Sequence, residues 1–332
     1  MEDKKPRIDS IDVAKGIMIS LLVFHHYPSS VGEVSIGHLE EIKCWQEWFI
    51  VYFMPAFFFI TGFCSNFNKP FKEFLISNLK VLLIPAILFI VINRILSALF
   101  FCHTKEEVIN QLLHGATLWF LWSLFFAKLL HWGVRKLPYG SLLIYLLLTF
   151  MGVWCWFQDI PNILYFQNTC ALALFLFVGE KCKVYSKKHN FKWVMSCGAF
   201  LFVAAMIFLK MYHLPRPIVT GVIVMGSYKE IPVYWVLATL GCLFILLISS
   251  LIQKTKVFQS IGKRTLVIYS IHGLFYSFFL NVAASNGFFG VHSLVFDATV
   301  CFVICALTVL SGYLTALVIE RVPFCKYLIG KW

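Results

Sequence analysis

Ten apolar runs, separated by short polar connections, account for most of the chain. They occupy 11–28, 47–66, 79–101, 116–133, 141–157, 163–180, 193–211, 233–252, 265–284 and 295–319. A helix needs ~20 apolar residues to cross a bilayer, so the pattern predicts an all-α, polytopic membrane helix bundle of about ten transmembrane helices. The fourth to sixth runs are short, and the loop between the fifth and sixth is very tight. Pro55 in the second run and Pro85 in the third predict kinks, tolerated where neighbouring helices re-satisfy the backbone. The connection 212–232 is the longest on its side; its Pro and Gly residues mark it as a re-entrant or lid-like loop.

Charge orients the bundle. With the N-terminus, alternate loops and the C-terminus on one side, that side holds 22 of the 28 basic residues. The opposite side holds five, and Arg94 lies within a span. The positive-inside rule then places both termini in the cytoplasm. The N-terminus is basic and leads into an apolar run, as in a signal peptide. No small-residue cleavage site follows, and Asp12 and Lys15 interrupt the run, so it is expected to be retained.

Composition agrees with this reading. The 332 residues are 60 % hydrophobic and 13 % charged, with a mean hydropathy of +0.81; soluble domains carry about a quarter charged residues. One membrane-embedded domain over 1–332 is expected, in the cell membrane of a bacterium or another plasma membrane. The net charge of +12 is distributed between spans rather than gathered in one patch, which argues against nucleic acid as a partner. Eleven cysteines show no CxxC or Cys/His spacing, so no metal site is expected. There is no GxSxG elbow, HExxH or phosphate loop, which argues against a soluble-type hydrolase, a zinc peptidase or an ATPase.

The first run carries the most unusual chemistry. Asp12, Lys15, His25 and His26 all fall on it, although each ionisable group near mid-bilayer costs at least ~2.5 kcal/mol. At about 100° per residue, Lys15 and His26 lie within roughly 20° of one face, Asp12 within roughly 40° of His26, and His25 roughly 100° away. Asp12, Lys15 and His26 therefore form one polar stripe, expected to face a protein interior or a cavity. Other polar residues at membrane depth are Asn93 and Arg94, Glu180 near the inner end of the sixth run, and Tyr269, Ser270 and His272 in the ninth. Histidine titrates near neutrality and serves as a general base, which singles out His26 and His272. A structural hydrogen bond is an equal reading for His272. Arg94 suits an anionic or sugar substrate or a structural ion pair, and Glu180 is expected at the interface.

Four motifs carry a resemblance. RIDSIDVAKGIMISLLVFHH (7–26) sets a basic residue and a histidine with ten residues between them, Lys15 and His26 standing in those places. FMPAFFFITGF (53–63), LWFLWSLFF (118–126), which contains Trp119, and IGKRTLVIYSIH (261–272) follow in order. Together they resemble acyltransferase family 3, in its fucose 4-O-acetylase-like branch.

The resemblance implies transfer of an acyl group, usually acetyl, from cytoplasmic acetyl-CoA to a glycan hydroxyl. His26 would be catalytic, with Lys15 as its basic partner and Asp12 beside it. Arg94, Tyr269, His272, His25 and Trp119 would contact substrate. Phe53 stands where the family often has a histidine, and Thr61 where it has a serine. The basic inner connections, especially Lys181–Lys192 and Lys254–Arg264, would attract the coenzyme A phosphates. A transporter of polysaccharide or lipid-linked sugar is the competing reading of ten spans and a polar stripe.

Overall fold

The computed structural model describes residues 8–31, 38–46, 48–101, 118–137, 141–158, 160–212, 231–290 and 292–330. All regular structure among them is helical: α1 (Asp9–Val31), α2 (Leu39–Gln46), α3 (Phe53–Cys64), α4 (Phe71–Asn78), α5 (Ile84–Phe101), α6 (Trp119–Val134), α7 (Ser141–Phe157), α8 (Phe166–Ser186), α9 (Phe191–Met211), α10 (Ile231–Leu251), α11 (Lys256–Gly262), α12 (Thr265–Ser285) and α13 (Leu294–Arg321). Six of the described helical stretches are long and apolar enough to cross a membrane, and α3 and α7 are shorter apolar helices. The protein is a polytopic membrane helix bundle. Each predicted run overlaps one α-helix, which for the second is the short α3 and for the third is α5, entered through the turn at Leu79–Leu83. Helices α2, α4 and α11 lie in connections where no element was expected. Most of the connection 212–232, expected to be lid-like, lies outside the described residues.

Two prolines act differently. Pro85 lacks an N–H and its ring crowds the carbonyl four residues back; the chain answers with a π-helical turn at Leu79–Leu83 that joins α4 to α5. Pro55 does not kink its span. It sits in the first turn of α3, where an N–H has no intrahelical partner to lose. The second run is consequently a turn at 48–52 followed by twelve helical residues rather than one long helix.

Backbone contact without intervening side chains sets the closest helix pairs. A Cβ on Gly62 of α3 would collide with the Leu176 carbonyl of α8, and one on Gly179 of α8 with the Phe59 carbonyl of α3. The same exchange joins α1 to α11: Gly262 rests on the Asp12 carbonyl, and Gly16 on that of Phe258. Small residues give membrane helices their closest approach. Three of these glycines, Gly16, Gly62 and Gly262, belong to the motifs quoted above.

The connections that carry the basic residues meet at one end. Lys183 donates to the Ser65 carbonyl (2.7 Å), and Arg135 to Phe67 O and Asn68 Oδ1 (both 2.8 Å). Trp132 Nε1 donates to Lys69 O (3.0 Å), and Arg264 pairs with Glu320 (2.7 Å). Glu180 is not merely interfacial. It accepts from the fully buried His131 at 3.0 Å and pairs with Arg135 at 3.3 Å, fastening α8 to α6.

This shared end is expected to be cytoplasmic. A cysteine placed at Lys187 should label only after the membrane is permeabilised; labelling by an impermeant thiol reagent in intact cells would reverse the topology.

Candidate active site

Helical spacing builds a cavity inside the bundle. Lys15, Ile19 and Leu22 project from one face of α1, Met54, Phe57 and Thr61 from α3, and Thr265, Leu266 and Tyr269 from α12. Residues three or four apart share a helix face, so each element offers a stripe. Val81 and Leu82 of the π-helical turn, with Phe120, Leu121 and Leu124 of α6, complete the wall of a space of about 250 Å³. Lys15 marks one end, and Tyr269 lies near the other.

One turn beyond Leu22 on the same α1 face comes His26. Its ring centre lies 5.1 Å from that of His272, which stacks on Tyr269 at 5.7 Å. His272 Nδ1 lies 2.6 Å from the Tyr269 carbonyl. A carbonyl only accepts, so Nδ1 carries a proton, and Nε2 is the nitrogen left to accept when the ring is neutral. The Tyr269 hydroxyl accepts from the Phe120 N–H at 3.2 Å, one of the donors that α6 leaves unpaired in its first turn. Asn93 Nδ2 donates to the Ser270 carbonyl at 2.6 Å and draws α5 to the same place.

The sequence-selected residues separate accordingly. His26, His272 and Tyr269 come together, and Lys15 reaches the opposite end of the adjoining cavity. Asp12 is buried at 5 % exposure, with its backbone under α11, and does not line the cavity. His25 turns towards Phe53, 5.2 Å between ring centres, in keeping with its roughly 100° offset. Trp119 stands at the start of α6 against Phe120 and Tyr165. Tyr165 and Leu164 both hold positive φ, 56° and 50°, a conformation costly for non-glycine residues; the tight loop between α7 and α8 ends on them. Arg94 follows Asn93 by one position, so its side chain leaves α5 about 100° away from the Ser270 contact.

Gln46 was not foreseen. Its Nε2 donates to the carbonyls of Phe24 (3.1 Å) and His25 (3.0 Å). Pro28 has no N–H to offer the Phe24 carbonyl four residues back, and α2 supplies the missing donor. The sequence HHYP carried that information, because a proline just past the histidine pair requires an outside donor. Gln46→Leu should leave the Phe24 carbonyl unmet at a cost of about 1–3 kcal/mol. A lowered thermal midpoint in detergent would confirm it, whereas an unchanged midpoint would mean that the bond is dispensable.

A family model described as an acyltransferase domain matches residues 8–317. No curated protein and no solved structure matches the chain. The matched span contains all the helices that build the cavity and the histidine pair.

Proposed function

Because the chain belongs to this acyltransferase family over residues 8–317, we propose that it moves an acetyl group from cytoplasmic acetyl-CoA to a hydroxyl of a cell-envelope or exported glycan. The bacterial cell membrane is the setting that fits such an acceptor. The observation that carries the reading is one α1 face with Lys15 at one end of a cavity and His26, paired with His272, just past the other. A transfer needs a base where the acceptor hydroxyl meets the acyl carbon, and a route for the donor to reach it.

In this mechanism neutral His26 takes the acceptor's hydroxyl proton as that oxygen bonds to the thioester carbonyl carbon. The carbon–sulfur bond breaks, coenzyme A leaves as its thiolate, and the proton held by His26 is passed to that sulfur. His272, fixed by the Tyr269 carbonyl, offers Nε2 to orient His26. Lys15 lies about 16 Å from His26 along the helix axis, too far to touch the reacting atoms, and attracts the anionic donor. Arg94, towards the outer end of its span, positions the acceptor.

General-base catalysis contributes about 10²–10⁴-fold, so His26→Ala should lower glycan acetylation by that order with membrane levels unchanged. His25→Ala should retain much more activity. Near-normal acetylation in well-expressed His26→Ala would remove His26 from the mechanism. Arg94→Ala should raise the acceptor KM more than it weakens acetyl-CoA binding; the opposite pattern would place Arg94 on the donor side. Purified protein should also hydrolyse acetyl-CoA slowly without acceptor, which a glycan exporter would not do.

A further inference from the structure

A second, larger hollow lies on the reverse side of α1. It measures about 810 Å³, within the usual range of ligand sites. Ser20, Leu21 and Phe24 form its floor, where Lys15, Ile19 and Leu22 face the reaction cavity. Its other walls come from Trp45 of α2, from Val257 to Ile261 of α11 and from Phe302 to Tyr313 of α13. It is open at the surface of the bundle: Val257 is 66 % exposed and Phe302 56 %. Phe302 stacks on both Phe24 (5.6 Å) and Trp45 (6.0 Å), so one end is aromatic.

The opposite end is polar and basic. Ser260 Oγ and the Tyr313 hydroxyl lie 2.9 Å apart. Arg264 donates to Ser260 Oγ at 2.8 Å and lies over the Tyr313 ring. Lys256 and Ser260 of α11 and Lys263, its C-terminal cap, recur at helical spacing, and both lysines are exposed. Glu320 is paired with Arg264 at 2.7 Å.

We propose that this groove is a binding site for an anionic phospholipid of the leaflet bordering the basic connections. One hydrocarbon chain lies along α1 between α11 and α13, and the headgroup phosphate rests among Lys256, Lys263 and Arg264. The medium around a membrane helix supplies the chain. The basic rim selects the headgroup, as basic pockets between membrane helices do on cytoplasmic faces. The seated lipid braces the α1–α11 contact at Gly16 and Gly262, one residue from Lys15, so its effect is on the stability of that contact. The site stands independently of the acyl-transfer mechanism.

The test uses full-length protein purified from nanodiscs of phosphatidylcholine mixed with phosphatidylglycerol, with retained lipid read by native mass spectrometry. Wild type should keep phosphatidylglycerol well above its bulk fraction. Each basic group near an anionic lipid surface is worth about five-fold in affinity, so Lys256→Ala and Lys263→Ala should each cut the enrichment by that order. Ala306→Trp fills the groove from an exposed position on α13 and should abolish retention with the protein still monodisperse. The proposal is overturned by wild type without enrichment, by enrichment indifferent to Ala306→Trp, or by preferential retention of a neutral or sugar-bearing lipid.

Discussion

A membrane helix that carries an aspartate, a lysine and two histidines cannot leave them facing hydrocarbon. That requirement governs α1, and through it much of the bundle. Asp12 is covered by α11, Lys15 faces an internal cavity, and His26 meets His272 of α12. The opposite face of α1 is apolar and lines the surface groove. The polar stripe is therefore enclosed by α3, α6, α11 and α12, the elements that carry the other three sequence motifs or adjoin them.

Enclosure depends on close approach. Gly262 settles on the backbone at Asp12, and Gly62 and Gly179 let α3 and α8 meet carbonyl to Cα. Side chains at those positions would push the walls apart. The motif glycines thus position the polar face of α1 without supplying polar groups themselves. Polar contacts then fix the register: Asn93 to Ser270, Tyr269 to Phe120, and Gln46 to the carbonyls beside His25. Each meets a buried polar group that would otherwise be costly. At the other end, His131, Glu180 and Arg135 do the same for α6 and α8.

Much of this was legible in the sequence because membrane helices announce themselves by length and apolarity. The helical wheel of α1 placed Lys15 and His26 on one face and His25 off it, as the structure has them. Periodicity within one helix is local information. What escaped was relational. Nothing local to Glu180 reveals that His131, forty-nine residues earlier, would meet it. The wheel put Asp12 in the stripe but could not tell that α11 would cover it. Pro55 read as a kink because the run around it was continuous in composition, while the turn at 48–52 shortened the helix. Gln46 lay in a connection whose docking site, the carbonyls near Pro28, belongs to another element.

On the proposed mechanism, the acyl group is transferred where the Lys15 cavity meets His26 and His272. The most direct measurement is a cryo-electron microscopy structure of the protein with a non-hydrolysable thioether analogue of acetyl-CoA. The account predicts the analogue's acyl end inside the cavity between Lys15 and Tyr269, with its carbonyl carbon close enough for an oxygen held about 3 Å from the His26 imidazole to reach it. An acyl end bound elsewhere, with the cavity unoccupied and His26 remote from it, would contradict the account.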